Sequence, residues 1–287
     1  MRIGQGGEAG DFLYSIPTFR ALQATHLFAL ERPWTRPGFA VRSKTLSRLL
    51  EAQGYTFAPH NGEPLDMDLS TYRSGGHRVG ENIISKVARW ARVKADISKP
   101  WLEVEPDLRT SGRIVVNRCP RWQSFNTFPW KGIVEQYKRD ILFIGLEAEW
   151  KAFCTQFGMV EYLRTADLYE AARAIKGSAV FIGNQSSCNA ICEGLHHPNI
   201  LEVCSYACDC FFSRPSTLYA VTGELHVEIL GKEFHHVPES TRGAFTGYCE
   251  GSPIYAMDEM QCKLMVRAEH ICRGLSIPYM SEITVSR

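Results

Sequence analysis

The stretch 180–187, VFIGNQSS, constrains this chain more than any other. An apolar run ends in glycine and four polar residues, and a helical pattern of Ala190, Ile191 and Leu195 follows at once. That order predicts a buried parallel strand, a tight turn and a helix N-terminus. Such a terminus presents unpaired backbone N–H groups at the positive end of the helix dipole, which together suit a phosphate. Asn184, Gln185, Ser186 and Ser187 therefore form a candidate phosphate turn. The plainer alternative is an ordinary strand–turn–helix unit in which Ser186 or Ser187 only caps the helix.

A second site of related form stands at the other end of the chain. Gly4, Gly6, Gly7 and Gly10 precede Asp11 and the apolar positions Phe12, Leu13, Ile16, Phe19 and Leu22. Glycines in this density leave room for a sharp turn or for close approach to a ligand, so Gly6, Gly7 and Gly10 form a candidate binding loop. The spacing matches no dinucleotide fingerprint, and no Gly-Lys-Ser/Thr follows. Asp11 falls where the helix should start, which by itself is the place of an N-cap.

With both sites in view, the segment 10–22, GDFLYSIPTFRAL, resembles the opening motif of glycosyltransferase family 9, the heptosyltransferase-like enzymes. The segment 181–195, FIGNQSSCNAICEGL, resembles their C-terminal phosphate-binding turn. Between them, VNRCPRWQSFNTFPWKGIVEQY (116–137) resembles the family's basic residue followed by an aromatic–proline–tryptophan element, and DILFIGLEAEWKAF (140–153) its strand and glycine turn. The four motifs occur in order over residues 1–204. The resemblance implies a GT-B fold: α/β, two facing Rossmann-like domains, with parallel sheets flanked by helices. It also implies an inverting, metal-independent glycosyltransferase that moves a hexosyl or heptosyl group from a nucleotide-sugar to an acceptor hydroxyl. The nucleotide-sugar is then a co-substrate, with no further cofactor.

The same resemblance implies roles for individual residues. Asp11 matches the general base, a carboxylate that takes the acceptor's proton as its oxygen attacks the anomeric carbon. Arg121, with Arg118 and Lys131 beside it, matches the basic element that neutralises the departing diphosphate. Asn117 ends the preceding strand. Gly145, Leu146 and Glu147 follow another strand end and Leu168 opens a further helix, so position places them at the nucleotide base; capping by Glu147 accounts for that residue equally well. Glu193 either contacts a donor ribose or faces solvent. Gln185 stands where the better-known heptosyltransferase pattern has aspartate, and histidine is missing near Asn189 and Ala190. The donor sugar is therefore left open.

Composition narrows the partners. The 287 residues carry a formal net charge of +1, which gives no global field to recruit nucleic acid or an anionic membrane. Ten cysteines include Cys204, Cys208 and Cys210, but their spacing fits no common zinc pattern and no CxxC pair occurs. No metal is expected, and free thiols suit a reducing cytoplasm. Asp66–Met67–Asp68 could hold a cation on a diphosphate but reads as solvated loop. His196, His197, His235 and His236 read as structural. No leader peptide or membrane-length apolar run is expected, so the protein reads as cytoplasmic.

Strand and helix patterns alternate along the chain, which predicts parallel sheets with right-handed crossovers. Strands are expected at 26–30, 55–58, 113–117, 141–145, 161–163, 180–183 and 200–203. Helices are expected from the Gly-rich loop to 24, then at 44–53, 79–93, 131–137, 147–156, 168–175, 189–195 and 258–273. Residues 59–77 read as loop and 101–111 as the connection between halves. The division is then 1–106 for an acceptor-side domain and 107–257 for a nucleotide-sugar domain, with 258–287 a helix and tail packing across the junction. Two alternatives stay open. One is a non-catalytic nucleotide or sugar-phosphate binder of the same fold. The other is a glycosyltransferase acting on hydroxymethylated pyrimidine in viral DNA, reached through a patch of Arg73, His77, Arg78, Lys86, Arg89 and Arg92. A saccharide or small-molecule acceptor is equally open.

Overall fold

The computed structural model describes residues 1–33, 38, 44–75, 81–124, 128–204, 210, 212, 214, 216–220, 225–236, 248–249 and 252–253. The expected helix at 258–273 and the residues His77, Arg78 and Cys208 lie outside them.

Two parallel sheets organise the described residues. The first runs in the order β3-β2-β1-β4, from β1 (Arg2–Gln5), β2 (His26–Ala29), β3 (Thr56–Pro59) and β4 (Met67–Asp68). Helices α1 (Ala9–Ala21), α2 (Lys44–Ala52) and α3 (Ile83–Trp90) accompany it. The second runs β10-β9-β8-β5-β6-β7, from β5 (Ile114–Asn117), β6 (Ile141–Phe143), β7 (Glu161–Tyr162), β8 (Val180–Asn184), β9 (Asn199–Glu202) and β10 (Thr217–Ala220). Its connections are α4 (Trp130–Tyr137), α5 (Glu147–Phe157), α6 (Leu168–Gly177) and α7 (Ser187–Gly194). Counted from β5, this is the doubly wound order 3-2-1-4-5-6. Strand order reverses between β5 and β8 here, and between β1 and β4 in the first sheet. In open α/β sheets ligands sit beyond the carboxyl ends of the strands at such points.

Strands such as β5, with all four residues buried, read as unbroken apolar runs because helices cover both faces of their sheet. One apolar cluster is shared between the sheets. It joins Phe12, Leu13 and Ile16 of α1 and Leu46, Leu49 and Leu50 of α2 to Ala171 and Ile175 of α6 and Ala190 and Ile191 of α7. A second cluster lies among β5, β6, α4 and α5, and the hairpin of β11 (Leu225–Ile229) and β12 (Lys232–His236) adds Leu225, Ile229 and Phe234. Leu230 and Gly231, both with positive φ, make the tight turn of that hairpin.

The segment expected as a connection between halves is built into the shared core. The Trp101 and Leu102 N–H groups both donate to the Gly194 carbonyl at the end of α7. The Trp101 indole N–H donates to the Leu13 carbonyl at 3.1 Å. That carbonyl needs a partner because Pro17, four residues on in α1, has no N–H to give. Two further expectations change. Residues 59–77 hold β4 and a 3-10 turn at Tyr72–Gly75 as well as loop, and Asp68 pairs with Arg32. Lys86, expected on a solvated face, is buried with its ammonium 6.0 Å from the Tyr72 ring centroid. Arg89 pairs with the buried Glu81 at 2.6 Å. Of the expected basic patch, Arg92 alone is left exposed without an ion pair among the described residues, because Arg73 is paired as well. No helix among those residues is long and apolar enough to cross a membrane.

His197, just beyond α7, sets a pH limit. Its ring faces the Ser178 hydroxyl at 3.0 Å. Burial, with Lys176 and Arg214 nearby, depresses its pKa from 6.5 to about 4. The unfolded chain takes up this proton near 6.5 and the folded chain only near 4, so stability falls as pH is lowered through that window. The loss is on the order of 3 kcal/mol. Urea denaturation of His197→Gln between these two pH values should show a visibly flatter pH dependence than the parent; an equal slope would place the effect elsewhere.

Candidate functional site

The turn from β1 into α1 brings Asp11 back over the glycine loop. The helix opens at Ala9 with Glu8 at its N-cap, so Asp11 lies three residues inside rather than at the cap. Its Oδ2 accepts the Glu8 backbone N–H at 2.8 Å, which closes the first turn. A Cβ on Gly7 would stand 2.3 Å from the Asp11 Cβ, so only glycine lets this turn close. Gly6 lies between Arg32 and Ser70. Asp11 Oδ1 accepts the Tyr72 hydroxyl and Arg73 Nη2, the latter at 2.6 Å. Burial opposes ionisation of this carboxyl, but the Arg73 charge, with hydrogen bonds from Tyr72, Arg73 and Glu8, holds its pKa below the ordinary value.

On the second sheet, β8 turns into α7. The Ser186 backbone takes the N-cap position, yet its hydroxyl donates to Asn117 Oδ1 at 2.8 Å and makes no cap hydrogen bond. The Ser186 side chain therefore does not cap the first N–H groups of α7. The two helix starts nearly touch: a Cβ on Gly10 would stand 4.0 Å from the Ser187 Cα. Asp11 and Ser187 of the candidate phosphate turn, 176 positions apart in the chain, are thereby brought to one place.

Buried amides hold the rest of this side. Asn117 Nδ2 donates to the Ile144 carbonyl at 3.0 Å, tying the end of β5 to that of β6. Asn184 accepts the Cys119 N–H at 3.0 Å and donates to the carbonyls of Cys119 at 2.9 Å and Arg121 at 2.6 Å. It is therefore a clamp on the loop that carries Arg121. Gln185 accepts the Cys204 N–H at 2.9 Å and anchors the start of the next loop. Arg121 is half-buried with its guanidinium 5.9 Å from the Trp122 ring centroid, and no carboxylate pairs with it among the described residues. Lys131 is exposed in the first turn of α4.

Gly145 has φ +120°, and a Cβ there would stand 2.5 Å from Asn117 Nδ2. Beside it Leu146 is 67% exposed, an apolar side chain open at a strand end. Glu147 pairs with Lys151 one turn on at 2.6 Å, and Leu168 packs against the shared core.

Two expected donor contacts are overturned. Arg118 binds both oxygens of the fully buried Glu202, at 2.9 and 3.1 Å, so its charge is already compensated inside the protein. Glu193 is also fully buried; it accepts from Arg214 at 2.7 Å and Asn199 at 3.2 Å, and neither a ribose nor solvent reaches it. Sequence reading missed Glu202 and Tyr72, and it set Arg73 in a basic patch rather than beside Asp11. Glu202 also receives the Ser124 N–H and the Trp130 indole and so organises the Arg121 loop. Tyr72 and Arg73 hold Asp11 from 61 and 62 residues away, and no local pattern marks such a pairing. Among the described residues no group of three or more His, Cys, Asp or Glu side chains could hold a metal ion.

No family model and no curated protein matches this chain. Solved structures do. The E. coli heptosyltransferase WaaC with ADP-2-deoxy-2-fluoro heptose is similar over 77% of this chain and 93% of its own, at 12% identity and a TM-score of 0.52. WaaC with ADP is similar over 70% and 86%, at 14% identity and a TM-score of 0.45. A glycosyl transferase family 9 protein from Veillonella parvula is similar over 69% and 80%, at 12% identity and a TM-score of 0.42. The first of these likenesses shows a shared fold, the α/β architecture of two parallel sheets flanked by helices that the sequence motifs imply.

The clamp is testable. Asn184→Ala would leave the Cys119 and Arg121 backbone groups without their buried partner, a loss of about 2–4 kcal/mol. Urea denaturation should show a loss of that size. A change below about 0.5 kcal/mol would mean that the Arg121 loop does not depend on Asn184.

Proposed function

We propose that this protein is a glycosyltransferase that moves a sugar from a nucleoside-diphosphate donor to an acceptor hydroxyl with inversion. One observation carries the reading: a carboxylate, Asp11, stands at a helix start that abuts the uncapped start of α7. Sugar transfer needs both elements within the span of one substrate, a base on one side and an anion site on the other. The fold shared with WaaC supports the same assignment, since that protein was solved with ADP and an ADP-heptose analogue.

The donor diphosphate is placed against the Ser187 and Cys188 backbone N–H groups, with its nucleotide along Gly145, Leu146 and Leu168. The exposed Leu146 offers an apolar surface for the base. As the acceptor oxygen attacks the anomeric carbon, the bond from that carbon to the phosphate oxygen breaks and the acceptor proton passes to Asp11. A single in-line displacement inverts the configuration. Negative charge builds on the leaving diphosphate, where Arg121, Lys131 and the α7 dipole oppose it. That set supplies the positive charge that a divalent ion would otherwise bring, so the reading is metal-independent.

Asp11→Asn keeps the size of the side chain and its acceptor oxygen for Glu8 but cannot take a proton. Transfer should fall roughly a hundredfold or more with donor affinity retained. Arg121→Ala should lower turnover by a similar order and leave the melting temperature unchanged, because its charge acts on the leaving group. Release of nucleoside diphosphate from a panel of nucleotide-sugars measures both variants. Near-normal turnover of Asp11→Asn would overturn the catalytic role.

A further inference from the structure

The three donors on Asp11 differ in freedom. The Glu8 N–H belongs to the first turn of α1. The Tyr72 hydroxyl belongs to a ring only 1% exposed, held in the shared core. Arg73 has a side chain 51% exposed, its guanidinium 5.0 Å from the Tyr72 ring centroid. Two donors are thus built into the helix turn and the core, and the third comes from a half-exposed side chain.

We propose that Tyr72 and Arg73 are positioning residues for Asp11: Tyr72 fixes the carboxylate's orientation, and Arg73 holds the Oδ1 lone pair that the acceptor hydroxyl takes over when Arg73 swings out. This rests on the role of Asp11 as base. The exchange is balanced, since one N–H donor leaves Oδ1 and one O–H donor replaces it. The proton of that O–H then moves to Oδ1 as the acceptor oxygen bonds to the anomeric carbon.

The exchange also explains how a carboxylate this well paired can act as a base. The charged and titratable groups facing it are Tyr72 and Arg73 from the 3-10 turn, with the buried Lys86 of α3 behind the Tyr72 ring. Glu8 adds its backbone N–H from α1, and Ser187 of α7 adds no charge. While Arg73 is in place it offsets burial and keeps Asp11 ionised. Once Arg73 leaves, burial raises the carboxyl's affinity for a proton at the step in which a proton must be taken.

The test is a carboxyl-carbon NMR titration of the full chain labelled at aspartate, with the Asp11 signal assigned from Asp11→Asn. The parent's Asp11 should titrate below the ordinary value of 3.8. In Arg73→Met it should titrate above that value, and in Arg73→Lys between the two. Tyr72→Phe, which keeps the ring, should also move the Asp11 midpoint upward. An Asp11 midpoint unchanged in both Arg73→Met and Tyr72→Phe would overturn the proposal. The titration needs no substrate, so it stands apart from the assignment of function, which fails if no nucleotide-sugar is turned over. Where turnover is present, Tyr72→Phe should lower kcat with the donor KM unchanged, and a loss confined to KM would count against positioning.

Discussion

The packing of α1 on α7 is the contact on which the rest depends. Their N-termini lie in near contact at Gly10, where a Cβ would stand 4.0 Å from the Ser187 Cα, an ordinary packing distance. Further along, Tyr14 accepts from Asn189 at 2.9 Å, Asn189 accepts from Asn199 at 2.9 Å, and Asn199 donates on to Glu193. This ladder is fully buried from Asn189 to Glu193. Asn199 spends its amide N–H groups on Asn189 and Glu193, while its Oδ1 is buried without a hydrogen-bond partner among the described residues; the bonds that are made hold the two helices in one register. The indole of Trp101, which caps the carbonyl that Pro17 leaves open, fastens the crossing segment to the same pair. On the proposed function, a carboxylate and a helix start without a side-chain cap, each unremarkable alone, thereby face one cleft.

A second layer of buried polar side chains shapes the loops around that cleft. Asn117, Asn184, Gln185 and Glu202 all sit at strand ends of the second sheet, and each spends its hydrogen bonds on backbone or side chains of a neighbouring loop. The Arg121 loop is held from two sides, by Asn184 beneath its carbonyls and by Glu202 through Ser124 and Arg118. Among the described residues, the Arg121 guanidinium has the Trp122 ring beside it and no carboxylate partner. On the proposed function, holding the backbone of this loop in place would let the Arg121 charge oppose developing negative charge at little reorganisation cost.

Much of the fold was legible because burial writes itself into local pattern. The runs of β5, β6 and β8 are apolar up to their polar ends at Asn117 and Asn184, and the helices between them carry regular apolar faces, so order and boundaries came out within a few residues. The two-residue β4 has no periodicity to detect. The β11–β12 hairpin had a usable signal, the alternation in LHVEI followed by a glycine, that the reading did not take up. Site residues were harder. A polar residue at a strand end looks the same whether it binds a ligand or a backbone, and its partner here lies up to 84 positions away, as for Arg118 and Glu202. Arg118 and Glu193 were misassigned for that reason. The helix start at Asp11 and the strand–turn–helix junction at Ser186 and Ser187 were legible because a glycine loop and such a junction leave marks within a few residues.

The central claim is that the α1 and α7 N-termini form one donor-and-base site, and a crystal structure of the full chain with ADP tests it most directly. The account predicts the diphosphate within hydrogen-bonding distance of the Ser187 and Cys188 backbone N–H groups, with the Arg121 guanidinium on a phosphate oxygen and Asp11 facing the β-phosphate across the cleft. A diphosphate bound away from the start of α7, with Arg121 not engaged, would contradict it.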